Sequence, residues 1–396
     1  MRTWFLLGLL LGCASPQPRG AVADSPAAVS PAAGAEATLE RAAAAPPAAS
    51  ATVELVESWP LETTLDHADI RDAADVWPEM IAAARERIDL AEFYVSIGPR
   101  LEPIIAALEK AAARGVQVRV LADSKFAGTY PETLDRLAAH GASVRRWKPP
   151  TGGVLHAKYF IVDRREGYLG SQNFDWRSLE QIQELGVRFR GPGEVRALED
   201  IFETDWALAG GAPRPPSPPA YAFGDTTLIA SPRELLPDPR LWDLPALVAL
   251  LDSARRSIKV QVLTYRADIP ELRAALDRAA ARGVQIQLLI SNWVLRHPEN
   301  LDGLPGEVRI LSIPQLPSGF IPFARVAHAK FCVVDGERAW VGTSNWEHDY
   351  FFKSRNVGLL LGGGPLPKRL AAFFDGDWAS QYATSAGTAP APRVAQ

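Results

Sequence analysis

His156-Ala157-Lys158-Tyr159-Phe160-Ile161-Val162-Asp163 returns in the second half of the chain as His328-Ala329-Lys330-Phe331-Cys332-Val333-Val334-Asp335. In each copy four apolar, strand-forming residues separate Lys from Asp. The period-two geometry of a strand then places His and Lys on one face of a sheet. Further along, Gly170-Ser171-x-Asn173 matches Gly342-Thr343-x-Asn345. Each offers a hydroxyl and an amide from a tight turn after a glycine-ended strand. One His-x-Lys pair on a strand is an ordinary occurrence. Two complete copies at the same internal spacing make the chain a duplication.

The flanking segments repeat as well. Ala84-Arg85-Glu86-Arg87-Ile88 leads into a strand-like Ile88 to Val95, and Ala254-Arg255-Arg256-Ser257-Ile258 into Ile258 to Tyr265. Leu101 to Arg114 has helical apolar spacing, stops at Gly115 and runs into the strand signal Val116 to Leu121. Its counterpart is Ile269 to Arg282, Gly283 and Val284 to Leu289, and the closing helix Leu198 to Trp206 matches Leu370 to Trp378. Strand, helix and strand with short connections require parallel pairing with helices packed on the sheet. The fold class is therefore α/β, as two tandem pseudo-symmetric sandwich lobes.

Composition narrows the function. At 396 residues and 47% hydrophobic content the chain can build two domains, each burying its own core. With 42 basic and 46 acidic residues the formal net charge is -4, which excludes a nucleic-acid coat protein or a polybasic membrane binder. Any anion site must be local. Two cysteines, Cys13 and Cys332, exclude a disulfide scaffold and a cysteine zinc cluster.

The two His-x-Lys-x4-Asp motifs resemble the repeated signature of the phospholipase D superfamily, over the whole folded chain. The resemblance implies that the halves pack with both motifs in one active site between them. One histidine would form a phosphohistidine, and water or an alcohol would release the phosphoryl group. His156, Lys158, Asn173, His328, Lys330 and Asn345 supply a nucleophile, an acid and donors to the phosphoryl oxygens without a metal or other cofactor. Ser171 and Thr343 support the phosphate, and Asp163 and Asp335, on the turn side of their strands, are scaffolding hydrogen-bonders. Glu184 follows His156 at the spacing at which Asn356 follows His328. Family members carry an acidic residue there that orients the nucleophilic imidazole. This implies His156 as nucleophile, held by Glu184, and His328 as general acid and later base.

A narrower likeness lies in Tyr168 to Leu179, Glu184 to Val187, Leu289 to Trp293, Ile321 to Val326 and Val341 to Trp346. These resemble the endolysosomal phospholipase D-like 5′ exonucleases of animals and their poxvirus relatives. The animal branch tends to carry Glu where this chain keeps Asp335, and has paired cysteines that are lacking here. The leading expectation is a phosphodiesterase acting on single-stranded 5′ ends. The alternatives are a phospholipase D or transphosphatidylase acting on phospholipid, and an inactive envelope binding module. Trp176, Trp346, Tyr350, Phe351 and Phe352 are candidates to stack bases, although eleven tryptophans in such a fold serve mainly the core and the lobe interface. Arg325 meets either a phosphate or an acidic neighbour, His348 reads as a solvated loop residue, and Cys332 as a buried thiol.

The N-terminus is organised differently. Arg2 and the apolar run Trp4 to Leu11 form an export signal over residues 1–12. Leu10-Leu11-Gly12-Cys13 resembles the lipobox of bacterial lipoproteins, which implies lipidation at Cys13. Ala14 implies outer-membrane retention in the cell envelope, with the protein facing the periplasm or the exterior. Residues 13–52, rich in Ala, Pro and Ser and without an aromatic, form a tether. The first lobe spans 53–212, a Pro-rich linker 213–220, the second lobe 221–384 and a disordered tail 385–396.

Overall fold

A computed structural model describes residues 53–392, so Cys13, the export signal and the tether lie outside the described residues. Two eight-stranded sheets dominate. In space the first runs Arg71–Asp72, Val53–Ser58, Glu184–Phe189, Glu166–Gly170, Tyr159–Val162, Arg87–Glu92, Gln117–Asp123, Ser143–Trp147. The second runs Thr226–Ser231, Asn356–Gly362, Arg338–Gly342, Phe331–Val334, Ser257–Val262, Gln285–Ser291, Glu307–Leu311, Ala383–Ser385.

The expected parallel units are present. Arg87–Glu92 pairs in parallel with Gln117–Asp123 across the helix Glu102–Ala113, and Ser257–Val262 with Gln285–Ser291 across Pro270–Ala281. Both sheets are nevertheless mixed. The motif strands Tyr159–Val162 and Phe331–Val334 turn back at once into Glu166–Gly170 and Arg338–Gly342, and a connection that short permits only antiparallel pairing. The turns need left-handed backbone at Asp163 (φ 50°) and Asp335 (φ 58°), a conformation that Asp tolerates better than most residues. Asp163 then accepts three hydrogen bonds of 2.8 Å, from the backbone N–H groups of Arg85, Glu86 and Arg87. Asp335 does the same for Arg255, Arg256 and Ser257 at 2.7–2.9 Å. Each aspartate thus ties the motif hairpin to the start of the neighbouring strand, at the end of the sheet away from the histidines.

The expectation that each half buries its own core holds only on the outer faces. Trp77, Ile104, Ile105 and Phe160 fill the first lobe's helix-covered face, and Leu247, Leu272, Leu276 and Trp340 that of the second. The inner faces share one cluster, in which Tyr159, Ile161 and Phe202 join Leu228, Phe331, Val333 and Phe373. Burying each such side chain stabilises by about 1.5–3 kcal/mol, so the lobes cannot part without losing a core. Both sheets accordingly belong to one compact unit.

Residues 385–392 depart from the disordered tail expected at 385–396, of which 393–396 lie outside the described residues. Ser385 ends an edge strand paired with Glu307–Leu311, Ala386 and Ala389 pack against the second lobe, and Asn292 donates to the Pro390 carbonyl. The Pro-rich segment has no regular structure, but Arg214 donates to the carbonyls of Glu234 and Leu236.

Candidate active site

The site is assembled by backbone exchanged between the sheets. Leu155, just before His156, forms a parallel bridge with Arg355, and Ala327, just before His328, forms one with Gln183. His156 N–H donates to the Arg355 carbonyl at 3.0 Å, and His328 N–H to the Gln183 carbonyl at 2.8 Å. Each histidine therefore lies beside the residue after its bridge partner, which belongs to the other lobe. His328 Nδ1 lies 2.7 Å from Glu184 Oε2, and His156 Nδ1 lies 2.9 Å from Asn356 Oδ1.

This corrects the pairing inferred from spacing: Glu184 holds His328, not His156. Glu184 is fully buried. Ser178 donates to its other oxygen at 3.0 Å. Asn356 likewise accepts from Thr343 at 2.9 Å and donates to the Tyr350 carbonyl at 2.8 Å. Because Oδ1 of Asn356 can only accept, Nδ1 of neutral His156 carries the proton and Nε2 keeps its lone pair.

Both lysines are fully buried, and each donates from Nζ to the carbonyl of its own motif histidine. Burial lowers Lys330 to about 7, and burial together with Lys330 holds Lys158 well below the usual ammonium range. Burial and the two ammonium groups keep both imidazoles well below their ordinary value. Burial raises Glu184 to about 8 against the pull of Lys330 and the serine hydroxyls. The Glu184–His328 contact thus holds one proton between two groups that each resist charge. Asn173 and Asn345 are buried with their Oδ1 atoms unpartnered; a half-turn of either amide presents a donor instead. Ser171 and Thr343 receive the backbone N–H groups of Leu185 and Val357, fixing the strands that carry Glu184 and Asn356.

Other residues take unanticipated positions. Glu92, buried at the end of a parallel strand, has its carboxyl raised far above the usual range by burial, with Lys158 nearby. Phe93 and Tyr350 pack edge-on against His156 at 5.0 and 4.7 Å between ring centroids. The legible signal for Glu92 and Phe93 was a position at the C-terminal end of a parallel strand, where such sheets bind ligands. Of the aromatic candidates, Trp346 and Phe351 are core and Trp176 is half-buried. Phe352 stacks on His348 at 4.3 Å, so His348 is no freely solvated loop residue. Arg325 takes neither expected role: it donates to the carbonyls of Pro314 and Leu61. Cys332 is buried, and burial lifts its thiol to about 12.

Imidazole nitrogens kept neutral beside buried lysines suit attack on an anionic phosphorus ester. On a duplicated α/β sandwich this defines a phosphodiesterase of the two-histidine class. A family model described as cardiolipin synthase, PLD-like domain matches residues 78–206 and again 247–378, and the chain belongs to this phospholipase D-like family. Among curated relatives, the 5'-3' exonuclease PLD4 of Mus musculus is 31% identical over 376 residues, covering 78% of this chain and 74% of the relative. The 5'-3' exonuclease PLD3 of Bos taurus is 34% identical, covering 83% and 79%. Phospholipase D Z of Dictyostelium discoideum is 31% identical, covering 84% and 90%. In fold alone, the chain is similar to phosphatidylserine synthase of Haemophilus influenzae Rd KW20, with TM-score 0.57 at 12% identity, covering 79% of this chain and 85% of that one. It is also similar to polyphosphate kinase of Porphyromonas gingivalis, with TM-score 0.56 at 14% identity, covering 84% of this chain and 48% of that one.

Proposed function

We propose that the protein hydrolyses single-stranded nucleic acid from the 5′ end through a phosphohistidine, with His328 as nucleophile and His156 as general acid and base. The observation that carries the role assignment is the 2.7 Å contact between His328 and Glu184. Attack by Nε2 places positive charge on the ring, and a carboxylate at Nδ1 stabilises it, as in a serine-protease triad. The Nε2–P bond forms as the P–O bond to the leaving nucleoside breaks, and His156 Nε2 gives its proton to the departing oxygen. An arriving phosphodiester anion offsets the two lysines, which lets His156 hold that proton. His156 then takes a proton from water, whose oxygen displaces His328 from phosphorus. Lys158, Lys330 and the amides of Asn173 and Asn345 hold the phosphoryl oxygens.

Nucleic acid is favoured as substrate by the relatives named exonucleases, which align along most of the chain. Phospholipid is the second reading, favoured by the relative named phospholipase D. Incubating the protein with 3′-labelled single-stranded DNA and, separately, with phosphatidylglycerol vesicles tests the choice. Shortening of the DNA from its 5′ end is expected; consumption of lipid alone would reverse it. Lipid attachment at Cys13, holding the enzyme in the cell envelope, belongs to the same proposal. Cys13→Ser should release it from the membrane fraction, and unchanged fractionation would refute the anchor.

A further inference from the structure

A group of aromatic rings lies beside His156 on the first lobe, with Phe93, Tyr94 and Phe126 mutually in contact and Tyr130 next to Tyr94. Phe93, at the imidazole, lies 4.3 Å from Phe126 and 5.6 Å from Tyr94 between centroids, and Tyr94 lies 5.8 Å from Tyr130. All four are half-buried rather than sealed in the core. Lys125 borders the group at 5.4 Å from the Phe126 centroid, and Arg177, buried and ion-paired with Asp175, lies 5.9 and 6.0 Å from those of Tyr94 and Tyr130. The pseudo-equivalents of Phe93 and Tyr94 in the second lobe are Leu263 and Thr264, so the group belongs to one side of the site only.

The group is also held in register with the catalytic strand. Asp123, buried, accepts from the backbone N–H groups of Lys125 and Phe126 and, through its other oxygen, from that of Leu155 at 2.8 Å. One carboxylate therefore fixes one ring of the group against the residue preceding His156. In the second lobe Ser291 occupies this place and only Trp293 N–H reaches it.

We infer that Phe93, Phe126, Tyr94 and Tyr130 form a stacking track for the bases of a single strand whose scissile phosphodiester sits at His156 and His328. The inference rests on the proposed nucleic-acid substrate and names where its bases lie. Spaced π-faces with cations beside them suit flat bases joined by phosphates.

The test uses affinity, so that it does not depend on turnover. In the His328→Ala protein, binding of a fluorescent single-stranded oligonucleotide is compared with that of the same strand made abasic. Phe126→Ala should lower the ratio of the two affinities by about tenfold, the scale of one lost base stack. Phe126→Leu, which keeps most of the volume and removes the π-face, should do nearly the same, and Phe126→Trp should preserve the ratio. An unchanged ratio in the Ala and Leu variants overturns the track, as does equal loss for both strands. If vesicle hydrolysis falls in Phe126→Leu while the ratio stays, the group serves lipid and the track is refuted. Wild-type protein that binds the strand selectively but does not shorten it refutes the exonuclease reading and leaves the track standing. Cleavage with an unchanged ratio does the reverse.

Discussion

Glu184, in the first sheet, and His328, in the segment leading into the motif strand of the second lobe, share a 2.7 Å hydrogen bond across the seam of a duplicated fold. The other histidine, His156, has an amide, Asn356, in the equivalent place at 2.9 Å. Identical motifs thus produce unequal imidazoles. A proton between carboxylate and Nδ1 in a dry site should resonate far downfield in the proton NMR spectrum. It should persist in His156→Ala and vanish in Glu184→Gln. Loss in His156→Ala alone would place the carboxylate on the wrong histidine.

The same inequality predicts where phosphorus is captured. With a nitrophenyl phosphodiester, whose leaving group needs little protonation, His156→Ala should accumulate acid-labile label on His328, because the group that activates water is gone. His328→Ala should retain no label. Peptide mapping that finds label on His156 instead would exchange the two roles.

Activity should fall on the alkaline side from about pH 7. Lys330, lowered to about 7 by burial, is charged below that value and neutral above it, so the free enzyme loses attraction for an anionic ester as the pH rises. On the acid side the imidazoles, held neutral by burial and the lysines, take up protons and the nucleophile is lost. A bell-shaped kcat/KM profile is expected, and a profile flat to pH 9 would contradict this electrostatic account. Activity should also survive excess EDTA, because among the described residues no group of acidic, histidine or cysteine side chains is placed to hold a divalent ion.

Stability should decline as the pH rises from the ordinary carboxyl range through about 7. Burial pushes Glu57, Asp243 and Asp377 up to about 7. Between the ordinary carboxyl range and 7 the folded chain holds protons that the unfolded chain has released, so raising the pH through that window favours unfolding. His156, His328 and the two lysines, all lowered by burial, act oppositely, and comparing the variant with the wild type cancels their contribution. Asp377→Asn should remove about 1 kcal/mol of the alkaline loss across one pH unit, measured by denaturant unfolding at pH 6.5 and 7.5. An undiminished loss would mean that Asp377 is ionised throughout.

Arg355 and Asp205 form a fully buried ion pair, with both Nε and Nη2 of Arg355 2.7 Å from the carboxylate. Asp205→Ala leaves an uncompensated guanidinium and should cost about 3–5 kcal/mol. Since the Arg355 carbonyl receives His156 N–H, activity should fall as well. The double variant Asp205→Leu with Arg355→Met should recover much of the stability in chemical denaturation. No recovery would show that the pair is held for its hydrogen bonds to Ser231 and Leu235 rather than for charge balance.

What the sequence determined by itself is whatever local periodicity encodes. The strands Tyr159–Val162 and Phe331–Val334 appear with the bounds their apolar runs imply, and Glu102–Ala113 fills the helix read over Leu101 to Arg114. The motif repeat likewise named the histidines, lysines and asparagines that now stand at the seam. The partner of each histidine was not legible. Equal spacing in the two halves pointed Glu184 to its own half's histidine, whereas the bridges Leu155–Arg355 and Gln183–Ala327 send each strand to the other lobe. The shared inner core and the Arg355–Asp205 pair were hidden for the same reason. They join segments distant along the chain, and only packing one sheet against the other, to bury apolar faces that neither lobe covers alone, brings them within bonding distance.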